Sequence, residues 1–168
     1  TTMGFTALDG LPMATRCGDL DPGVVLHLIQ DLGYSPERTA DLLYHESGLL
    51  GLSGISSDMR ILRASDAPEA REALDVYAYR IAREIGSLVT ALQGLDAIVF
   101  TGGVGENDAA ARSDICTHLE WLGVRLNPAR NARGDMLVSD EDSPVTVAVI
   151  PANEEKVIAA EALRVLKA

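Results

Sequence analysis

The run Ala97-Ile98-Val99-Phe100-Thr101-Gly102-Gly103-Val104-Gly105-Glu106-Asn107 constrains this chain more than any other stretch. Four β-friendly apolar residues read as a buried strand. A glycine loop follows, and Asn107 or Asp108 can cap the helix beyond it. Bare backbone N–H groups at a helix start suit a phosphate or the ribose edge of a nucleotide. Plain chain reversal is the commoner use of the same pattern. Asp108 stands where the dinucleotide fingerprint needs its third glycine, so a nucleotide here calls for a different fold.

The chain has 168 residues, enough for one domain with a real core. Apolar residues make up 47% and the formal net charge is −11, which fits a soluble globular protein rather than a disordered one. Acidity without basic clusters, with aromatics at only 4%, argues against a nucleic-acid surface. Small anionic substrates remain open to such a chain, because one or two local arginines overcome the total charge. No apolar run approaches the roughly 20 residues that span a bilayer. No signal peptide is visible. Cys17 and Cys116 lie far apart without metal-ligand spacing, so free thiols and a cytoplasmic location are expected.

Along the chain, Met3 to Leu8 reads as a short strand and Asp9 to Asp21 as a long loop. Asp21-Pro22 opens a helix carrying Val24, Val25, Leu28, Ile29 and Leu32, stopped by Gly33. Ser35-Pro36 opens a second, with Leu42 and Leu43 inward. Gly48 to Ser57 reads as a loop. The longest helix is expected from Ala67 to Leu92, entered by the capping-box-like Asp66-Ala-Pro-Glu69 and striped with Leu74, Tyr77, Ile81, Ile85, Leu88 and Leu92. Further helices are expected over Asp108 to Leu122 and Glu154 to Lys167. Val124 to Leu126 reads as a short strand, Asn127 to Pro144 as irregular, and Val145 to Ile150 as the second buried strand. The order is mixed α/β, richer in helix than in strand.

Several residues carry candidate chemistry. Arg16, among small residues in Thr15-Arg16-Cys17-Gly18-Asp19, offers a planar fork to phosphate or carboxylate, or else pairs with Asp19 or Asp21. Asp58-Met59-Arg60 sets a carboxylate and a guanidinium on one side of an extended chain, for nucleotide contacts or a surface ion pair. Glu154 and Glu155 begin the last helix, a favourable dipole placement that also lets a glutamate hold Mg²⁺. His27, His45 and His118 fall on helices without a partnered carboxylate and read as structural. Neither cysteine has the surroundings of a catalytic thiol.

Taken together and in order, these segments resemble the C-terminal part of the acetate and propionate kinase family. The resemblance rests on Thr1-Thr2-Met3-Gly4-Phe5-Thr6 with Leu8-Asp9-Gly10-Leu11, and on Thr15 to Pro22. Ser47-Gly48-Leu49-Leu50-Gly51-Leu52-Ser53-Gly54-Ile55-Ser56-Ser57-Asp58-Met59-Arg60 continues it. Phe100 to Asn107 and Ile150-Pro151-Ala152-Asn153-Glu154-Glu155 complete it. It implies the C-terminal nucleotide-binding lobe of the sugar kinase, heat-shock and actin (ribonuclease H-like) α/β fold, over residues 1–168.

The implied activity is Mg²⁺-dependent transfer of the ATP γ-phosphoryl to acetate, giving acetyl phosphate and ADP. Arg16 would stabilise the transferring group, and Asp58, Met59 and Arg60 would line the adenosine pocket. Gly103, Val104, Gly105, Glu106 and Asn107 would wrap the ribose and phosphates, and Glu154 would help hold Mg²⁺, with Glu155 second. A homodimer through this lobe is implied as well. Complete family members are more than twice as long. The resemblance therefore places outside this chain the N-terminal lobe, the first strands of the C-terminal lobe, the acetate pocket and the transition-state histidine. An unpaired sheet edge is expected near Met3 to Leu8. Adenine-nucleotide binding or dimerisation without catalysis is the alternative.

Overall fold

The computed structural model describes residues 1–166. They fall into two compact units, Thr1–Gly94 and Leu95 onward.

The first unit is helical: α1 (Pro22–Gln30), α2 (Pro36–His45), α3 (Gly48–Ser53), α4 (Met59–Arg63) and α5 (Pro68–Leu92). Asp21 and Ser35 cap α1 and α2 by accepting from the N–H of Gly23 and Arg38, each with proline at the first helical position. The long helix α5 buries Ala70, Ala73, Ala78 and Ala82 together with Leu74, and α3 and α4 pack against it. Alanines let backbones approach closely, so the face that packs is the small-residue one. Leu88 and Leu92 of the expected stripe are exposed instead.

Four expectations fail in this unit. Met3 to Leu8 forms bends and turns rather than a strand. There the Thr1 and Thr6 hydroxyls accept from the N–H of Met3 and Leu8, a local bond that competes with strand pairing. Gly48 to Ser57 is helical through Ser53. Asp58-Met59-Arg60 is a helix start rather than extended chain. The capping box does not form either: Ser65 Oγ accepts from the Ala67 N–H, and Ala67 occupies the cap position.

The second unit is built on β1 (Ala97–Phe100) and β2 (Thr146–Val149), parallel and in register from Ala97 with Thr146 to Phe100 with Val149. Parallel neighbours need a long crossover. Here it holds α6 (Gly102–Asn107), α7 (Ala109–Thr117), a 3₁₀ turn (Glu120–Leu122) and α8 (Pro128–Arg133). The expected helix to Leu122 therefore breaks after Thr117, and the stretch taken as irregular contains α8, capped by Asn127. Val124 to Leu126 makes only single bridges, to Val145 and Ser139. Ile98, Phe100, Val147, Ala148, Val149, Ile115 and Leu119 form the core. The last helix, α9 (Glu154–Leu166), buries nothing, and Lys167 lies outside the described residues. Among the described residues β1 pairs with β2 alone, so the open sheet edge belongs to β1 and not to Met3–Leu8.

Candidate functional site

In the first unit, the arginine loop sits on the start of α3. The N–H groups of Ser47, Leu49 and Leu50 donate to the carbonyls of Thr15, Met13 and Ala14 at 2.9–3.0 Å. Donors that a helix start leaves without partners are thus satisfied by the loop, which is why the glycine-rich segment becomes helical. Gly48 permits the approach. Its φ is +61°, and a Cβ there would lie 2.1 Å from the Met13 carbonyl. The Arg16 region and the Ser47–Arg60 segment, separate in sequence, are therefore one packed structure at this point.

Arg16 does not pair with Asp19 or Asp21. Asp19 turns to α5, taking Arg80 on its backbone carbonyl at 3.0 Å and Arg83 on its carboxylate at 3.5 Å. Asp21 caps α1. The partly buried Arg16 guanidinium contacts Met13 Sδ at 3.6 Å and has no carboxylate partner among the described residues. A guanidinium left in this state keeps its fork available to an external anion.

At the start of α4, Asp58 accepts from the Arg60 N–H at 2.8 Å and from Arg60 Nη2 at 2.6 Å. The Arg60 side-chain bond, then its backbone bond, hold the Asp58 carboxyl down at about 2. The ion-pair reading of this segment is therefore realised, although Arg60 is 91% exposed and such pairs stabilise little. Met59 turns its side chain into the core.

In the second unit, Gly102 leaves Phe100-Thr101 at φ +72°, and the chain makes one helical turn, α6, rather than an open loop. Gly102 and Gly103 have no atom within 4 Å of where a Cβ would stand, so the turn presents bare backbone. Two side chains hold it. Asn107 Nδ2 donates to the Gly103 carbonyl at 2.9 Å. Glu106 Oε1 accepts from the N–H of Gly102 at 2.7 Å and of Ala152 at 2.8 Å.

Beneath the turn lies Arg112, only 2% exposed. Its Nη1 donates to the carbonyls of Gly105 and Glu106, its Nε to Asn131 Oδ1 and its Nη2 to the Asn131 carbonyl, all within 3.0 Å. Burial lowers its pKa, with Asp108 acting in the opposite sense. Sequence reading missed both the Arg112–Asn131 clamp and the inward turn of the Glu106 carboxylate. An arginine one helix beyond a glycine turn carries no signal of burial.

Glu154 and Glu155 sit exposed in the first turn of α9, where Asn153 Oδ1 accepts from the Lys156 N–H. No group of three or more His, Cys, Asp or Glu side chains converges to hold a metal among the described residues. One exposed carboxylate fits Mg²⁺ only as that ion is usually held beside a nucleotide, by one or two carboxylates with phosphates and water. Of the histidines, His27 does have a carboxylate partner, Asp31 one turn on at 2.7 Å, contrary to expectation. Burial pushes the Cys116 thiol up to about 12, and both cysteines are free. No helix among the described residues is long and apolar enough to cross a membrane.

Parallel strands feeding a bare, braced glycine turn define a mixed α/β class. The model of the acetokinase family matches residues 1–160, and the chain belongs to that family. It is 56% identical over 161 residues to an acetate kinase of Rhodopseudomonas palustris (strain TIE-1), covering 95% of this chain and 40% of that protein. Two solved structures are similar. The acetate kinase of Porphyromonas gingivalis has a TM-score of 0.90 and 38% identity over 98% of this chain and 43% of its own. A propionate kinase of Francisella tularensis has a TM-score of 0.89 and 36% identity over 94% and 41%. The chain thus spans about 40% of the length of the curated relatives it matches.

Proposed function

We propose that this chain is the nucleotide-holding part of an acetate kinase acting in the cytoplasm. In the reaction, a carboxylate oxygen of acetate attacks the γ-phosphorus of ATP, the bond to ADP breaks, and acetyl phosphate forms. The fold, in this reading, is the C-terminal lobe of the sugar kinase, heat-shock and actin superfamily without its first strands. Acetate, or another short-chain acid, binds through the part of the relatives' length not present here.

The backbone of Gly103 to Asn107 takes the ribose and phosphates, with Asp58 and Arg60 by side chain and Met59 by backbone at the adenosine. Arg16 neutralises charge on the transferring group, the main contribution open to a protein in phosphoryl transfer. Glu154 contributes a ligand to Mg²⁺, which when bound neutralises phosphate charge. The observation that carries the reading is the turn itself: bare glycines, open space above them, and buried polar groups fixing the backbone from below.

The test is a calorimetric titration of the chain with Mg-ADP, beside Asn107→Ala. Saturable binding, about tenfold weaker in the variant, is expected. No binding by a chain with intact helical circular dichroism would defeat the proposal.

A module that binds nucleotide or dimerises without catalysis draws support from α9, whose Val157, Ile158, Leu163, Val165 and Leu166 are all exposed. Supplying the remainder of a relative's chain in trans separates the two readings. Restored acetyl phosphate synthesis that disappears with Arg16→Ala supports the kinase. No synthesis, from components shown to associate, supports the module.

A further inference from the structure

Pairing between the two strands runs out where the Ile150 N–H donates to the Phe100 carbonyl at 2.9 Å. Beyond that point both chains leave the sheet, one into the glycine turn and the other into Pro151–Asn153 and α9. Neither exit is held firmly by its own backbone. Gly102 and Gly103 carry the largest conformational freedom of any residue type, and Pro151 contributes no N–H. Residues 151–153 are exposed and outside regular structure.

One oxygen crosses this gap. Glu106 Oε1 accepts from Gly102 at the start of the turn and from Ala152, two residues before Glu154. The carboxylate has no cationic partner among the described residues, so backbone N–H groups alone satisfy its protein contacts. Hydrogen bonds to a charged acceptor are the strong kind. From the other side, Arg112 Nη1 holds the carbonyl of the same residue at 3.0 Å. Glu106 is thus fixed at its backbone, and its side chain spans to the other exit.

We propose that Glu106 is a positioning residue, a carboxylate latch that fixes the spacing between the nucleotide turn and the segment carrying Glu154. The latch orders two loose segments before any ligand arrives, so binding does not have to supply that ordering. The role of the latch in nucleotide binding rests on the function proposed above; the latch itself does not.

The experiment compares the unmodified chain with Glu106→Ala and Glu106→Gln, by amide hydrogen exchange without ligand and by Mg-ADP titration. A glutamine oxygen accepts the same two N–H groups, whereas alanine accepts neither. With alanine, the Gly102 and Ala152 amides should exchange about tenfold faster or more and Mg-ADP should bind about tenfold more weakly. Glutamine should keep both amide protection and affinity within about threefold.

Unchanged exchange at both amides in the alanine variant would overturn the latch. So would a glutamine variant that loses affinity as far as alanine while keeping protection, since the charge would then be acting on the ligand or metal. If the unmodified chain binds no Mg-ADP, the nucleotide reading fails and the exchange comparison alone decides the latch.

Discussion

Glycine does different work in the two units. In the first, Gly48 is required by the protein itself, because its left-handed φ and the Met13 carbonyl 2.1 Å from a would-be Cβ leave room for hydrogen alone. In the second, Gly103 has no positive φ, and a Cβ there would meet nothing within 4 Å outside its own helical turn. Nothing in the described chain needs a glycine there. The same composition thus marks an internal joint in one place and, in the function proposed above, a landing surface in the other.

The widest gap between the two should appear in stability. Gly48→Ala puts a Cβ into the left-handed region, which costs roughly 1–2 kcal/mol, and adds the clash with the arginine loop. A loss of about 3 kcal/mol or more in urea unfolding is expected. A variant within about 0.5 kcal/mol of the parent would break the contrast at its first term.

Arg112→Met comes next. It leaves the carbonyls of Gly105, Glu106 and Asn131 without their buried donor, a loss of about 2–3 kcal/mol. Faster amide exchange through residues 102–107 should accompany that loss. It would show that polar side chains brace the second turn beside the one glycine, Gly105, that packs closely there, where a Cβ would lie 3.2 Å from the Phe100 backbone.

The sequence made the frame of both regions legible where local chemistry decides. Asp21-Pro22 and Ser35-Pro36 start helices as read, because cap and proline act within one turn. The strands Ala97–Phe100 and Thr146–Val149 were equally readable as apolar runs, but only the second is buried for most of its length. In β1, Ile98 and Phe100 are buried while Ala97 and Val99 are exposed, because one face of that strand is uncovered. What failed depended on distant partners. Gly48–Ser53 reads as loop until carbonyls from residues 13–15 supply its missing acceptors. Met3–Leu8 reads as strand but joins no strand among the described residues. Motif order singled out the glycine turn, Arg16 and Glu154 as candidates. The inward Glu106 carboxylate and buried Arg112 needed three dimensions.

Gly103→Ala tests the other term of the comparison. Alanine suits a helical turn better than glycine by roughly 0.5–1 kcal/mol, so the urea midpoint should hold or rise. Mg-ADP affinity should nevertheless fall about tenfold, because the methyl occupies the open side of the turn. A variant that loses stability would make Gly103 another joint, and one that binds as well as the parent would remove the landing surface.

The smallest effect is expected where the first glycine segment runs out into α4. Asp58 titrates at about 2 in the folded chain against an ordinary 3.8, held down chiefly by the Arg60 side chain. Because the folded value is the lower one, the cap's contribution is complete above the ordinary carboxylate value and disappears as pH falls through about 2. Both partners face solvent, and salt and water screen most of their attraction. Nuclear magnetic resonance should therefore place the Asp58 midpoint near 2, with the Arg60 amide losing protection over the same range, while Asp58→Asn leaves the thermal midpoint of the chain unchanged. A thermal midpoint that drops with Asp58→Asn would make this exposed cap a structural joint like Gly48, and the division between the two kinds of segment would have to be redrawn.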